Sequence, residues 1–188
     1  MTRDDAYALL TEYTKTPSLI GHALAVEAAM RFYAAKLGGD PEEWAAVGLL
    51  HDMDYERWPD LEDHPFRGAE IMRDRGVPEL WIRAVLSHGD HTGVPRETPM
   101  EKALFAVDEL TGFIVACALV RPSRSLADLG AKSVKKKMKD RSFAAKVNRE
   151  AIEAGAAVLG VPVDEHIENV IEAMRGIESQ LGLGAGAP

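Results

Sequence analysis

Apolar residues recur along the chain at intervals of three and four, and no segment alternates apolar with polar in the manner of a strand, so the pattern predicts an all-α fold. Over 4–14, Tyr7, Leu10 and Tyr13 mark a first helix. Pro17 and Ser18 open a second, with Ile20, Leu24, Ala28 and Phe32 on one side, and Leu37-Gly38-Gly39 stops it. Asp40-Pro41-Glu42-Glu43 then restarts the helix with a capping carboxylate, a proline at the first helical position and acids facing the positive end of the dipole. This third helix carries Ala45, Ala46, Val47, Leu49 and Leu50 and runs into His51-Asp52. Residues 53–63 lack any period and read as a loop over whatever His51 and Asp52 bind. Pro65 and Pro78 begin two short helices, the first with Ala69 and Met72 and ending at Gly76, the second with Leu80, Ile82, Val85 and Leu86 and ending at Ser87-His88-Gly89-Asp90-His91. Thr98-Pro99 opens a long helix apolar on most sides, with Asp108 as the conspicuous exception. After Pro122, residues 125–129, 132–139, 142–147, 149–159 and 164–180 favour helix, and the Gly/Ala-rich tail, 182–188, is expected to be flexible.

The place where polar chemistry meets this apolar pattern is His51-Asp52. An imidazole and a carboxylate attached to a buried helix end need a partner, and a divalent cation satisfies both. His22 and Asp108 are two further polar insertions in helical apolar settings. Glu27, five residues beyond His22, turns away from its face and reads as structural. Asp54 and Glu56 are loop acids near the site, and His166, in the first turn of an acidic helix, reads as a surface residue.

Composition narrows the setting. With 188 residues and 46% of them apolar, the chain fills one core, and no linker or repeat divides residues 1–181. The single cysteine, Cys117, excludes an intrachain disulfide and fits a reducing compartment. An acidic start without an apolar signal core, and a longest apolar run of eight residues, lead to the expectation of a cytoplasmic protein without a membrane partner. The net charge of −8 argues against general nucleic-acid binding. It is unevenly placed: between Arg121 and Arg149 there are ten basic and two acidic residues, leaving 12 basic and 28 acidic elsewhere. On a helix Lys132, Lys136 and Lys139 share a face, so Lys132 and Lys136, with Arg121 and Arg124 before them, are candidate contacts to an anionic substrate; an acidic partner subunit or a solvated face is the alternative.

The order His22, then His51-Asp52, then Asp108 resembles the HD-domain superfamily of metal-dependent phosphohydrolases, and the flanking Gly21-His22-Ala23-Leu24, Leu49-Leu50-His51-Asp52 and Val107-Asp108-Glu109-Leu110 agree with it. His64-Pro65-Phe66-Arg67-Gly68-Ala69 resembles the His-Pro-x-x-Gly-Ala element of the HDIG subgroup, in which the His can hold a second metal. Met53-Asp54 departs from that subgroup's Ile-Gly, and His88-Gly89-Asp90-His91 departs from its adjacent His pair. The chain also lacks the Gly-Tyr-Pro signature of cyclic-dinucleotide phosphodiesterases.

The resemblance implies a single HD-domain helical bundle with a metal centre in its core, formed by about 18–115, and basic helices over 121–180. The metal ligands would be His22, His51, Asp52 and Asp108, with His64, His88 and His91 as candidates for a second site, and Asp52, His64 and His88 as the catalytic group. Two imidazoles and two carboxylates suit Mn, Fe, Co, Ni or Zn with positions left for water. The expected activity is hydrolysis of a phosphate ester, of a nucleotide or another small phosphorylated metabolite, through metal-activated water. One tightly held ion with a weak second site is expected, and assembly into a homo-oligomer is left open. The competing readings are a non-catalytic nucleotide-sensing domain and a diiron oxygenase on the same fold.

Overall fold

The computed structural model describes residues 1–184, and among these there are nine α-helices, two short 3₁₀ turns and no strand. The helices are α1 (Arg3–Tyr13), α2 (Pro17–Leu37), α3 (Pro41–Leu50), α4 (Phe66–Asp74), α5 (Glu79–Ser87), α6 (Pro99–Leu119), α7 (Ala131–Met138), α8 (Arg149–Leu159) and α9 (Val163–Arg175). Their starts follow the expected chemistry. Asp40 accepts from the Glu42 amide at 2.8 Å ahead of Pro41, and Thr98 forms a capping box with Glu101 ahead of Pro99.

Helix α2 is the central element, packed against α3, α6 and α9. Being covered on several sides, it buries Ala23, Val26, Met30 and Tyr33, while the expected stripe of Leu24, Ala28 and Phe32 is only half-buried. A close approach in this layer is made by Gly48 of α3, where an added Cβ would lie 3.0 Å from the backbone of Glu27 in α2. Only glycine lets the two backbones meet there, and the meeting brings His51, one turn on, beside His22. Glu27 is structural as expected, its carboxylate taking Arg3 at 2.8 Å.

The basic region departs from the sequence reading. Residues 125–129 and 142–147 form turns, and only α7, from Ala131 to Met138, is helical before α8. The reason over 142–147 is Arg149, whose buried guanidinium donates to the carbonyls of Ala144 at 2.8 Å and Val147 at 2.6 Å and also to those of Phe143 and Asp140. The carbonyls of Asp140 and Ala144 accept, besides Arg149, the amides of Phe143 and Val147 three residues on, the bonds of successive turns, and Ala144 takes a left-handed φ of 43° to complete the wrap.

His166 is a second correction. It is fully buried in α9, donating through Nε2 to the Ala106 carbonyl at 2.8 Å and accepting the Tyr33 hydroxyl at Nδ1 at 2.6 Å. Helix α9 ends at Arg175, short of the expected 180, and a 3₁₀ turn follows at Glu178–Leu181. In the stretch expected to be flexible, Leu183 is buried and the Gly184 amide donates to the Arg124 carbonyl at 2.7 Å; the remainder of that stretch, 185–188, lies outside the described residues. No helix among the described residues is long and apolar enough to cross a membrane.

Candidate metal centre

Five separate pieces of chain deliver their polar ends to one point. His22 comes from the first half of α2, His51 caps the end of α3 with Asp52 next to it, His64 sits just before α4, His88 caps α5, and Asp108 lies in the middle of α6. His22 Nε2 is 3.0 Å from Asp108 Oδ1 and 3.2 Å from His51 Nε2. His51 Nε2 is in turn 3.4 Å from Asp52 Oδ2 and 3.5 Å from Asp108 Oδ1. On the other side of the same carboxylate, Asp52 Oδ1 lies 3.3 Å from His64 Nε2 and 3.5 Å from His88 Nε2. The donors fall into two groups, His22, His51, Asp52 and Asp108, and Asp52, His64 and His88, the atoms of each within 4.8 Å of one another. Asp52 belongs to both.

Supporting hydrogen bonds fix which nitrogen faces inward. His51 Nδ1 donates to the Gly48 carbonyl at 2.7 Å, His88 Nδ1 to the Val85 carbonyl at 2.5 Å, and His64 Nδ1 to Asp54 Oδ1 at 2.7 Å. Each therefore presents the Nε2 lone pair to the centre, the arrangement a metal-ligating histidine needs. Asp54, an acid whose role was left open in the sequence, is fully buried and also accepts the Gly68 amide at 2.7 Å, so it is the support of His64.

The electrostatics follow from this convergence. Burial works against charging His51, yet Asp52 and Asp108 outweigh it and hold the imidazole well above its ordinary value. Burial likewise opposes a proton on His64, and Asp52 and Asp54 push it up to about 9. The carboxyls of Asp52 and Asp108 are also penalised by burial, and the surrounding imidazoles hold both well below the usual range. A proton bridges donors two at a time, whereas four nitrogen and oxygen donors aimed at one point are all satisfied together by a cation. The donor set therefore fits a divalent metal, His22, His51, Asp52 and Asp108 being able to hold one ion. Asp52 and Asp108 remain about one-fifth exposed, so the group opens to solvent.

That opening is a cleft of about 340 Å³ whose lining includes His22, Asp52, His64, His88 and Asp108 together with Tyr55, Glu109, Lys146 and Val147. Of the other expected site residues, His91 does not join the donors; its Nε2 donates to the His64 carbonyl at 2.8 Å, making it a support of the chain at His64. Arg121 pairs with Asp128 at 2.7 Å and lines a different cavity with Lys136, while Lys132 and Arg124 are exposed and do not line the cleft. The lysine that does line it is Lys146. Tyr55 and Lys146 escaped the sequence reading because neither belongs to an apolar period; the available signal for Tyr55 was its place in the loop directly after His51-Asp52.

The sequence profile of the HD domain matches residues 19–112, half of the chain. The chain belongs to the HD-domain family. The match contains every donor of both groups, and it ends before Lys146 and α7 to α9. This HD domain is 29% identical over 96 residues to Ribonuclease Y of Oleidesulfovibrio alaskensis and 30% identical over 96 residues to Ribonuclease Y of Nitratidesulfovibrio vulgaris. The aligned segment is 50% of this chain but only 18% of either relative. No solved structure gives a significant match.

Proposed function

We propose that this HD domain is a metal-dependent hydrolase of phosphate esters, with a nucleotide or another small phosphorylated metabolite as substrate. The observation that carries the reading is Asp52, whose one oxygen faces His22 and His51 and whose other faces His64 and His88. The first group of four donors would hold one divalent ion, and Asp52 with His64 and His88 would be the place for the weaker second ion. Cations held there would take up charge on a phosphoryl oxygen and make water a nucleophile near neutral pH. The chain's own part is to aim the Nε2 atoms through their Nδ1 bonds, to keep Asp52 and Asp108 ionised, and to leave one face of the cleft open to substrate.

Two features support a small organic phosphate. A second cavity, about 530 Å³, shares His22 and Gly112 with the metal cleft and is lined by the apolar Val115, Leu119 and Leu181 and the polar Ser18, Ser179 and Gln180. A mainly apolar chamber with a few polar groups beside a phosphate site suits a sugar or base. The relatives named Ribonuclease Y support phosphate-ester chemistry, but a net charge of −8 and a single lysine in the cleft favour a small substrate over RNA.

The test is phosphate release by the protein loaded in turn with Mn, Fe, Co, Ni and Zn, against phosphomonoesters, nucleotides, phosphodiesters and an RNA oligomer. Metal-dependent turnover of a nucleotide or sugar phosphate is the expected result. No turnover with any metal, together with oxygen consumption by the iron-loaded protein, would replace the reading with that of an oxygenase.

A further inference from the structure

Among the described residues Lys146 is the one lysine or arginine lining the metal cleft, and it stands on a part of the chain that the family match does not reach. It rides on the turn between α7 and α8, which is fixed at two places. From inside, the Arg149 guanidinium gathers the carbonyls of Asp140, Phe143, Ala144 and Val147 and lies 5.1 Å over the Phe113 ring of α6. From the cleft side, Glu109, the residue after Asp108, accepts the Asn148 amide at 3.2 Å. Both anchors tie the turn to α6, the helix that carries Asp108, one through the buried Arg149 and the other through an exposed bond, so the backbone at Lys146 is held relative to the metal donors. Its ammonium is exposed and takes no carboxylate partner among the described residues, although Asp52, Asp108 and Glu109 share its cleft.

We infer that Lys146 is a substrate-phosphate contact of this cleft and that Arg149 is its positioning residue, a reading that rests on the proposed phosphate-ester chemistry. The physical argument is a balance of charge. Divalent metal at the donor groups would offset the charge of Asp52 and Asp108, and a phosphate brought into the cleft would present oxygens to its rim as well as to the donors. An ammonium at the rim, with no competing carboxylate partner, meets those oxygens at the cost of ordering one lysine side chain. The other basic residues of 121–149 cannot do this from the cleft lining. Arg149 supplies no charge to substrate because its guanidinium is buried and committed to backbone carbonyls.

The test uses the full chain loaded with Mn²⁺ and two independent readouts, calorimetric binding of inorganic phosphate and steady-state kinetics on the best phosphate ester. Lys146→Ala is exposed and safe for folding, and it should weaken phosphate binding and raise KM by roughly tenfold, with kcat changed far less. Lys146→Arg should restore most of both, and Lys139→Ala, which removes the same charge outside the cleft, should change neither. Arg149→Lys cannot reach the same set of carbonyls and should mimic Lys146→Ala, while the double variant should be no worse than either alone. Unchanged phosphate binding and KM in Lys146→Ala would overturn the inference, whatever Arg149→Lys does, and so would failure of the parent to bind phosphate at all. Additive losses in the double variant would remove Arg149 from the positioning role. If no phosphate ester is hydrolysed yet phosphate binding still depends on Lys146, the anion contact stands and the hydrolase reading falls.

Discussion

Asp52 is the only side chain common to both donor groups, so its loss and the loss of a support residue should look different. Asp52→Ala is expected to lose bound metal from both groups and to lower turnover by more than about a hundredfold, while circular dichroism stays helical, because the change removes charge at an opening and no core packing. Asp54→Asn removes the anionic acceptor behind His64 and should weaken only the second group, by about ten- to a hundredfold, with one ion retained. Metal analysis of the two variants side by side decides the assignment; one ion retained by Asp52→Ala would sink it. His166 carries a prediction of a different kind. Burial lowers its pKa against the opposing bond to Ala106, so the unfolded chain binds the proton more readily than the fold. Stability is therefore untouched by this residue well above pH 6.5 and is lost as pH falls below it. Denaturant melts of the parent at pH 7.5 and 5.5 should differ by more than those of His166→Gln; equal differences would mean that the buried imidazole is not the titrating group. At this scale the sequence was informative where a polar pair interrupts an apolar run, as at His51-Asp52, and poor where a histidine is buried beside acids. The missed signal at His166 is its spacing of four residues from Val170, on the face that also carries Ile167, Ile171 and Met174.

Among the elements, α3 bears on the site through its distance from α2. Gly48→Ala places a methyl 3.0 Å from the Glu27 backbone, and neither helix can yield without moving a donor. A loss of about 1–3 kcal/mol is expected, as for overpacking elsewhere in cores. Because His51 sits one turn beyond Gly48, metal affinity should fall with stability; a variant equally unstable but with unchanged affinity would show that the contact and the site are uncoupled. Helix starts at Pro17, Pro41 and Pro99 were legible because capping and proline chemistry are local. The 142–147 turn was not, since its shape depends on a guanidinium that the next helix folds underneath it, and a sequence rich in Ala, Lys and Arg gives the same local preference whether or not its carbonyls are claimed.

For the whole molecule, the donor groups act as a staple. Their residues come from α2, α3, α5 and α6 and from the chain between Asp52 and α4, so the site joins elements far apart in sequence. That assembly was legible as an order of motifs, but the roof of the cleft, supplied by Tyr55 and by the turn bearing Lys146, depends on packing that no motif records. Asp52 and Asp108 are gathered with imidazoles in one place, and the acids hold His51 well above its ordinary value. A cation that binds only the folded state stabilises it by mass action, about 2.7 kcal/mol at a free concentration one hundred times its dissociation constant. Removing divalent metal with a chelator should therefore lower the melting temperature of the domain as one cooperative transition, and readdition should restore it in proportion to the logarithm of free metal. Asp52→Ala, lacking the carboxylate common to both groups, should melt at the same temperature with or without metal. A parent whose melting temperature ignores the chelator while its metal is verifiably removed would show that the centre is built by the fold and returns nothing to it, and the picture of the site as a staple would have to be abandoned.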